Sequence, residues 1–130
     1  MNAPTVMLLD DDPNTLIALH AILERTNANV IECEDEQGAL TWCAQNSTDI
    51  DVMVADVILS GSNGPEVVRK MKPLRPPMRL LFISGFSLPE LRKRGLLSDD
   101  DLAPGKIEFL QKPFSPQVFL TRVNQLLPTQ

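Results

Sequence analysis

The sequence predicts an α/β fold in which five short strands alternate with five helices, (βα)5, wound into one doubly wound parallel sheet. Three observations carry this expectation. Apolar runs of strand length recur along the chain, and segments with helical spacing of their apolar residues lie between them. The run Val52-Met53-Val54-Ala55 is continuous rather than alternating, as in a strand covered on both faces inside a parallel sheet. Several runs also end on a polar residue, with Asp10, Asp56 and Ser84 closing three of them.

The elements follow in order. Thr5 to Leu9 is the first strand, and it ends in Asp10-Asp11-Asp12. Pro13 suits a first helical turn with Asp12 as its cap. Over residues 14–26, Leu16, Ile17, Leu19, Ile22 and Leu23 recur at helical spacing. His20, the only histidine, lies in that segment and reads as a partly exposed helix residue, since no second histidine could share a site with it. Asn29 to Cys33 is a weakly marked strand. A helix over 36–46 places Ala39, Leu40 and Cys43 on one face, with Trp42 beside them as packing.

The strand ending at Asp56 leads through a loop containing Gly61-Ser62-Asn63-Gly64 to a helix over 64–72. Pro73, Pro76 and Pro77 end that helix before the fourth strand, Arg79 to Ser84. A short helix over 87–95 has Ser87 at its cap. Residues 96–106 read as irregular, and Asp99-Asp100-Asp101 within them lacks the spacing and glycine of a calcium loop. Ile107 to Gln111 is the fifth strand, and after Lys112-Pro113-Phe114 the last helix opens at Ser115-Pro116 and runs to 127. Phe119, Val123 and Leu126 mark its inner side.

The bulk properties set limits. With 130 residues and 43% hydrophobic content, the chain is large enough for one domain with its own core, expected to span residues 1–130. A net charge of -5 argues against a nucleic-acid surface, which needs a basic stripe. Cys33 and Cys43 are too few and too far apart for a redox pair or a zinc site, and they read as buried or half-buried thiols in a reducing cytoplasm. Neither a long apolar span nor a basic-then-apolar leader is present, so the chain is expected to be cytoplasmic and not to engage a membrane.

The residues that follow the strands carry the chemistry. Asp10 and Asp11 follow the first, Asp56 closes the third, Ser84 the fourth, and Lys112 follows the fifth. In an open parallel sheet these share one rim, where ligands bind. Taken alone, Asp56 reads more readily as a turn or helix cap than as a functional residue. Grouped, three carboxylates repel one another unless a cation joins them. A hard divalent ion is the natural partner. Mg2+ fits best, since it accepts a few carboxylates and keeps waters for an incoming phosphate. A lysine and a hydroxyl at the same rim would take the remaining phosphoryl oxygens, which makes a site for moving a phosphoryl group onto a carboxylate.

The segments LLDDDP, VMVADVILSGSNG, FISG and FLQKPF, in this order and spacing, resemble the response-regulator receiver (CheY-like) family across nearly the whole chain. The resemblance implies a flavodoxin-like, CheY-like fold and a phosphoacceptor in two-component signalling rather than an enzyme in the usual sense. It implies that Asp56 is the phosphoacceptor, and that Asp10 and Asp11 hold Mg2+ together with Asp56 and the backbone carbonyl of Ile58. Asp11 is then the more direct ligand. Ser84 takes the place of the switch hydroxyl, Lys112 pairs with a phosphoryl oxygen, and Pro113 follows a cis peptide bond. Phe109 falls at the aromatic switch position. The implied partner is a histidine kinase or histidine phosphotransfer protein, with a homodimer through the fourth helix, fifth strand and fifth helix as a further expectation. Slow self-dephosphorylation is also implied, with Ile58 and Phe86 restricting water.

Some positions depart from the family's commonest pattern: Ser60 stands where proline is frequent, Gly85 where alanine is common, and the segment from Gly85 to Lys106 is long. The wording SGF followed by LQKPFSP is similar to receivers attached to hybrid sensor kinases. Other readings compete. A haloacid dehalogenase-type aspartyl phosphatase needs an acidic motif after its lysine, and residues 113–130 contain no Asp or Glu. A flavodoxin-like FMN binder wants a Ser/Thr/Gly-rich loop after the first strand, where this chain has three acids. A receiver fold that only docks partners and is never phosphorylated is the remaining alternative.

Overall fold

Five strands, β1 (Thr5–Leu9), β2 (Asn29–Cys33), β3 (Val52–Asp56), β4 (Arg79–Ser84) and β5 (Ile107–Gln111), form one sheet in the computed structural model. The structure describes residues 3–74, 76–98 and 107–128. The strand order is β2-β1-β3-β4-β5, with every pair parallel. The winding direction reverses at β1, which lies between β2 and β3. That reversal opens a crevice at the carboxyl ends of β1 and β3. Because Leu9 pairs with Ala55, the next residues, Asp10 and Asp56, end up side by side on that rim.

Among the described residues, five α-helices cover the sheet: α1 (Pro13–Leu23), α2 (Glu36–Gln45), α3 (Gly64–Met71), α4 (Leu88–Lys93) and α5 (Pro116–Leu126). Successive side chains of a strand point to opposite faces, and the core divides accordingly. Val6, Leu8, Val52, Val54, Leu81 and Ile83 pack with Leu16, Leu19 and Leu23 of α1 and Phe119, Val123 and Leu126 of α5. Met7, Leu9, Met53, Ala55, Leu80 and Phe82 pack with α2, α3 and α4 on the other side. This is why the central strands read as unbroken apolar runs. Cys33 and Cys43 are buried thiols of the second face, and burial, with lesser help from Cys43 and Asp35, pushes the Cys33 pKa up to about 11.

The helix starts follow capping chemistry. The side chains of Asp12, Asp35, Asn63, Ser87 and Ser115 each accept a backbone N–H from the first turn of the helix they precede. Four of the five helices also carry proline in that first turn. The helix α4 is six residues long and buries one side chain of its own, Leu91.

The structure corrects the sequence reading in detail. The helix expected over 14–26 ends at Leu23, because the Thr26 hydroxyl and N–H both donate to the Leu23 carbonyl at 2.7 and 2.9 Å. Ile17, placed on its apolar stripe, is 64% exposed. The loop after β3 contains a short antiparallel hairpin, Ile58–Leu59 against Ser62–Asn63, turned by Gly61 at φ 74°. His20 is half-buried and pairs with Glu32. The triplet Asp99-Asp100-Asp101 lies outside the described residues. Among the described residues, no helix is long and apolar enough to cross a membrane.

Candidate functional site

The rim over β1 and β3 gathers the acids. Asp10 continues β1 past its end, with its N–H bonded to the Cys33 carbonyl at 3.1 Å, and it is 1% exposed. Its Oδ1 accepts the Asp12 N–H at 2.9 Å and its Oδ2 the Lys112 ammonium at 3.2 Å. Asp56 is the last residue of β3 and 8% exposed. Its Oδ1 accepts the Ile58 N–H at 3.1 Å and its Oδ2 the Lys112 ammonium at 2.9 Å. Asp11 is exposed, and its Oδ2 accepts the Ser60 N–H at 2.9 Å. One carboxylate oxygen from each of Asp10, Asp11 and Asp56 lies within 4.8 Å of the others.

The neighbouring strands supply the rest. Ser84 ends β4 and is 1% exposed. Its Oγ accepts the Phe86 N–H at 3.1 Å, and its carbonyl accepts the Lys112 N–H at 2.8 Å. The hydroxyl and the ammonium are therefore tied together through main chain. The Lys112-Pro113 peptide is cis. Phe86 is partly exposed beside Ser84, with the Arg94 guanidinium 4.2 Å above its ring. Phe109 does not reach the rim. It pairs with Phe82 two positions before the Ser84–Gln111 pair, half-buried against the second core face.

Charge is out of balance here. Burial raises the Asp56 pKa and the charge of Asp10 adds to it, and together they outweigh the Lys112 and Ile58 hydrogen bonds that act the other way. Burial works against the charge on Lys112, yet Asp56 and Asp10 hold its pKa above the usual lysine range. A single ammonium is thus shared by two buried carboxylates, with Asp11 beside them. Oxygen donors alone, in a pocket short of positive charge, fit a hard divalent cation such as Mg2+.

Two features of the site were not legible from the sequence. The Ser60 N–H reaches Asp11, and Gly64 packs against the main chain of Asp56, so that a Cβ at Gly64 would lie 2.4 Å from the Asp56 carbonyl oxygen. The glycine pair in GSNG was the only available signal for the second.

Comparison with known proteins agrees with this geometry. A family model described as the response regulator receiver domain matches residues 6–124. The chain is 27% identical over 126 residues to the sensor kinase CckA of Brucella abortus, covering 97% of this chain and 13% of that protein. It is 25% identical over 128 residues to the DNA-binding transcriptional regulator NtrC of Azospirillum brasilense, covering 98% of this chain and 25% of that one. The chain thus spans a quarter or less of either relative. Among solved structures, the receiver domain of the hybrid histidine kinase CckA superposes with TM-score 0.75 at 23% identity, covering 95% of this chain and 99% of that one. The chemotaxis protein CheY4 of Vibrio cholerae superposes with TM-score 0.77 at 23% identity, covering 97% and 100%. These two likenesses establish the CheY-like fold.

Proposed function

Because this chain belongs to the response regulator receiver domain family of two-component signalling, we propose that Asp56 is its phosphoacceptor and that the rim around it is built for that transfer. The observation that carries the proposal is the Lys112 ammonium bridging Asp56 and Asp10 at 2.9 and 3.2 Å, with Asp11 completing a three-carboxylate cluster. Asp10, Asp11 and Asp56 are assigned to Mg2+, along with the Ile58 carbonyl. Bound Mg2+ supplies neutralisation of the phosphoryl oxygens and of the crowded carboxylates.

The chain's own groups then have definite tasks. A phosphohistidine of a histidine kinase or phosphotransfer protein is the assigned donor, and the likeness to a hybrid kinase receiver supports that class. The donor's N–P bond breaks as an O–P bond forms to the Asp56 carboxylate, and the imidazole keeps the bonding electron pair. Lys112 stays protonated and pairs with a phosphoryl oxygen. The Ile58 N–H, already on Asp56 Oδ1, holds the carboxylate in orientation. Positioning and charge do the work, as is general for phosphoryl transfer.

Signalling follows if the Ser84 hydroxyl leaves the Phe86 N–H for the new phosphate and Phe109 moves inward. The face of α4, β5 and α5 then changes population between two arrangements. That face is assigned to the output partner or to a second copy of the chain. Slow hydrolysis of the acyl phosphate, with Ile58 and Phe86 limiting water, returns the site to its start. Residues 1–130 act as one receiver unit, working in the cytoplasm without contacting nucleic acid.

Acetyl phosphate with Mg2+ is expected to add one phosphoryl mass to the protein. The same treatment leaves Asp56→Ala, or the wild type in EDTA, unmodified. Equal labelling of wild type and Asp56→Ala would overturn the assignment.

A further inference from the structure

The hairpin after β3 lies against the site carboxylates along one edge and is fastened to something else along the other. Its first strand gives the Ile58 N–H to Asp56 Oδ1 at 3.1 Å, and the turn gives the Ser60 N–H to Asp11 Oδ2 at 2.9 Å. Two residues per strand is too little for a hairpin to hold itself together in water. Its return strand must be anchored.

One anchor is local. The Asn63 side chain caps α3 through the Glu66 N–H at 2.9 Å, and the Gly64 N–H returns to the Val57 carbonyl at 2.9 Å. The other anchor comes from a distant element. Glu36, the first residue of α2, accepts the Ser62 hydroxyl on Oε1 at 2.9 Å and the Lys70 ammonium on Oε2 at 2.9 Å. Ser62 is the hairpin partner of Leu59, one residue before Ser60. A carboxylate has the acceptor capacity to take both donors at once, and bonds to its charged form are shorter and stronger than neutral ones. Glu36 thus clasps the hairpin on one oxygen and the body of α3 on the other.

We propose that Glu36 is a positioning residue for the phosphoacceptor site: through the Ser62 hydroxyl it holds the hairpin so that the main chain of Ile58 and Ser60 faces Asp56 and Asp11. The inference rests on the phosphoacceptor reading for its consequence, but its structural content stands apart from the metal. Glu36 touches neither the carboxylates nor any reacting atom. The two bonds also hold its carboxyl below the usual glutamate range, with Lys70 contributing first and Ser62 second. The plainer alternative makes Glu36 an ordinary first-turn acid paired with a lysine, which would influence helix stability and nothing at the rim.

Amide hydrogen exchange on the metal-free protein separates the two. Glu36→Ala and Ser62→Ala should each speed exchange at Ser60 and Ile58 by about fivefold to tenfold, leaving Met7 and Val54 in the core strands unchanged. Calorimetric titration with MgCl2 should then show affinity weakened by about fivefold, less than the tenfold or more that loss of a direct ligand partner brings. The double variant should be no weaker than either single one, because both remove the same bond. Glu36→Gln, which keeps an oxygen for Ser62, should stay within about twofold of wild type in both measurements.

Unchanged exchange at Ser60 and Ile58 in Glu36→Ala would overturn the proposal, and so would a Gln variant as impaired as the Ala one. Should the wild type fail to take up Mg2+ at all, the metal assignment falls by itself. The role of Glu36 is then decided by amide exchange alone.

Discussion

Gly64→Ala probes the tightest main-chain approach beside the phosphoacceptor. A Cβ at Gly64 would sit 2.4 Å from the Asp56 carbonyl oxygen, 3.3 Å from its carbonyl carbon and 3.4 Å from the Ala55 Cβ. The first distance is about 1 Å inside ordinary non-bonded contact. Neither Asp56 atom can swing away, since both are main chain. The Gly64 N–H is bonded to the Val57 carbonyl and β3 is held on both sides by the sheet. Overpacking of this kind costs about 1–3 kcal/mol, and two immovable partners put Gly64→Ala in the upper half of that range. The opposing gain, alanine over glycine in a helix, is at most about 1 kcal/mol and is smaller at a first helical position. Packing wins, and a net loss of about 2 kcal/mol is expected, equivalent to a drop in Tm of roughly 6–12 °C for a domain of this size. Urea unfolding followed by the fluorescence of Trp42, the single tryptophan, measures it, and acetyl phosphate labelling on the same variant should slow as Asp56 is displaced. A variant within 0.5 kcal/mol of wild type would show that helix and strand do not meet at Gly64 as described.

Two further outcomes follow from the rim. Asp11→Ala should weaken Mg2+ binding by about tenfold or more. Asp12→Ala, which removes the acceptor for the Asn14 N–H and the Thr15 hydroxyl, should cost about 1 kcal/mol of stability and little affinity; an Asp12 variant with the larger loss of affinity would reverse the assignment of the acid pair. Asp56→Asn should stabilise the metal-free protein at neutral pH. The folded-state pKa of Asp56 is raised, chiefly by burial, so ionising it works against folding and the wild type recovers stability as pH falls through that raised value. The advantage of the asparagine variant should therefore vanish below about pH 4, where the unfolded-state carboxyl is also protonated. Urea titrations in EDTA at the two pH values test this, and an advantage that grew on acidification would refute the sign.

Much of this architecture is written in residue patterning. The buried strands announce themselves as apolar runs because both faces are covered, and their polar endings mark the rim before any coordinate is known. Side-chain periodicity is blunter on helices. Leu16 and Ile17 are both strongly apolar neighbours, and only the docking angle of α1 decides that Leu16 enters the core while Ile17 meets solvent. The hairpin at 58–63 escaped because it is made of backbone hydrogen bonds and one glycine at positive φ, which leave no period to read. Glu36 escaped for a related reason: a glutamate in a first turn is unremarkable until the chain brings Ser62 and Lys70 to it. The roles of Asp10, Asp11, Asp56, Ser84 and Lys112 were suggested by what the residues are together, and that grouping required only that the strands run parallel.

The helix α4 meets the core through Leu91, with Leu88 only partly buried beside it. Leu91 is its one fully enclosed side chain, and such a leucine contributes about 2–3 kcal/mol. Driving a two-state equilibrium from one extreme to the other takes about 5.5 kcal/mol, and ordinary allosteric couplings of about 1–3 kcal/mol are already comparable to this anchorage. An anchorage of that size lies within reach of such couplings, so α4 can shift while the sheet stays still.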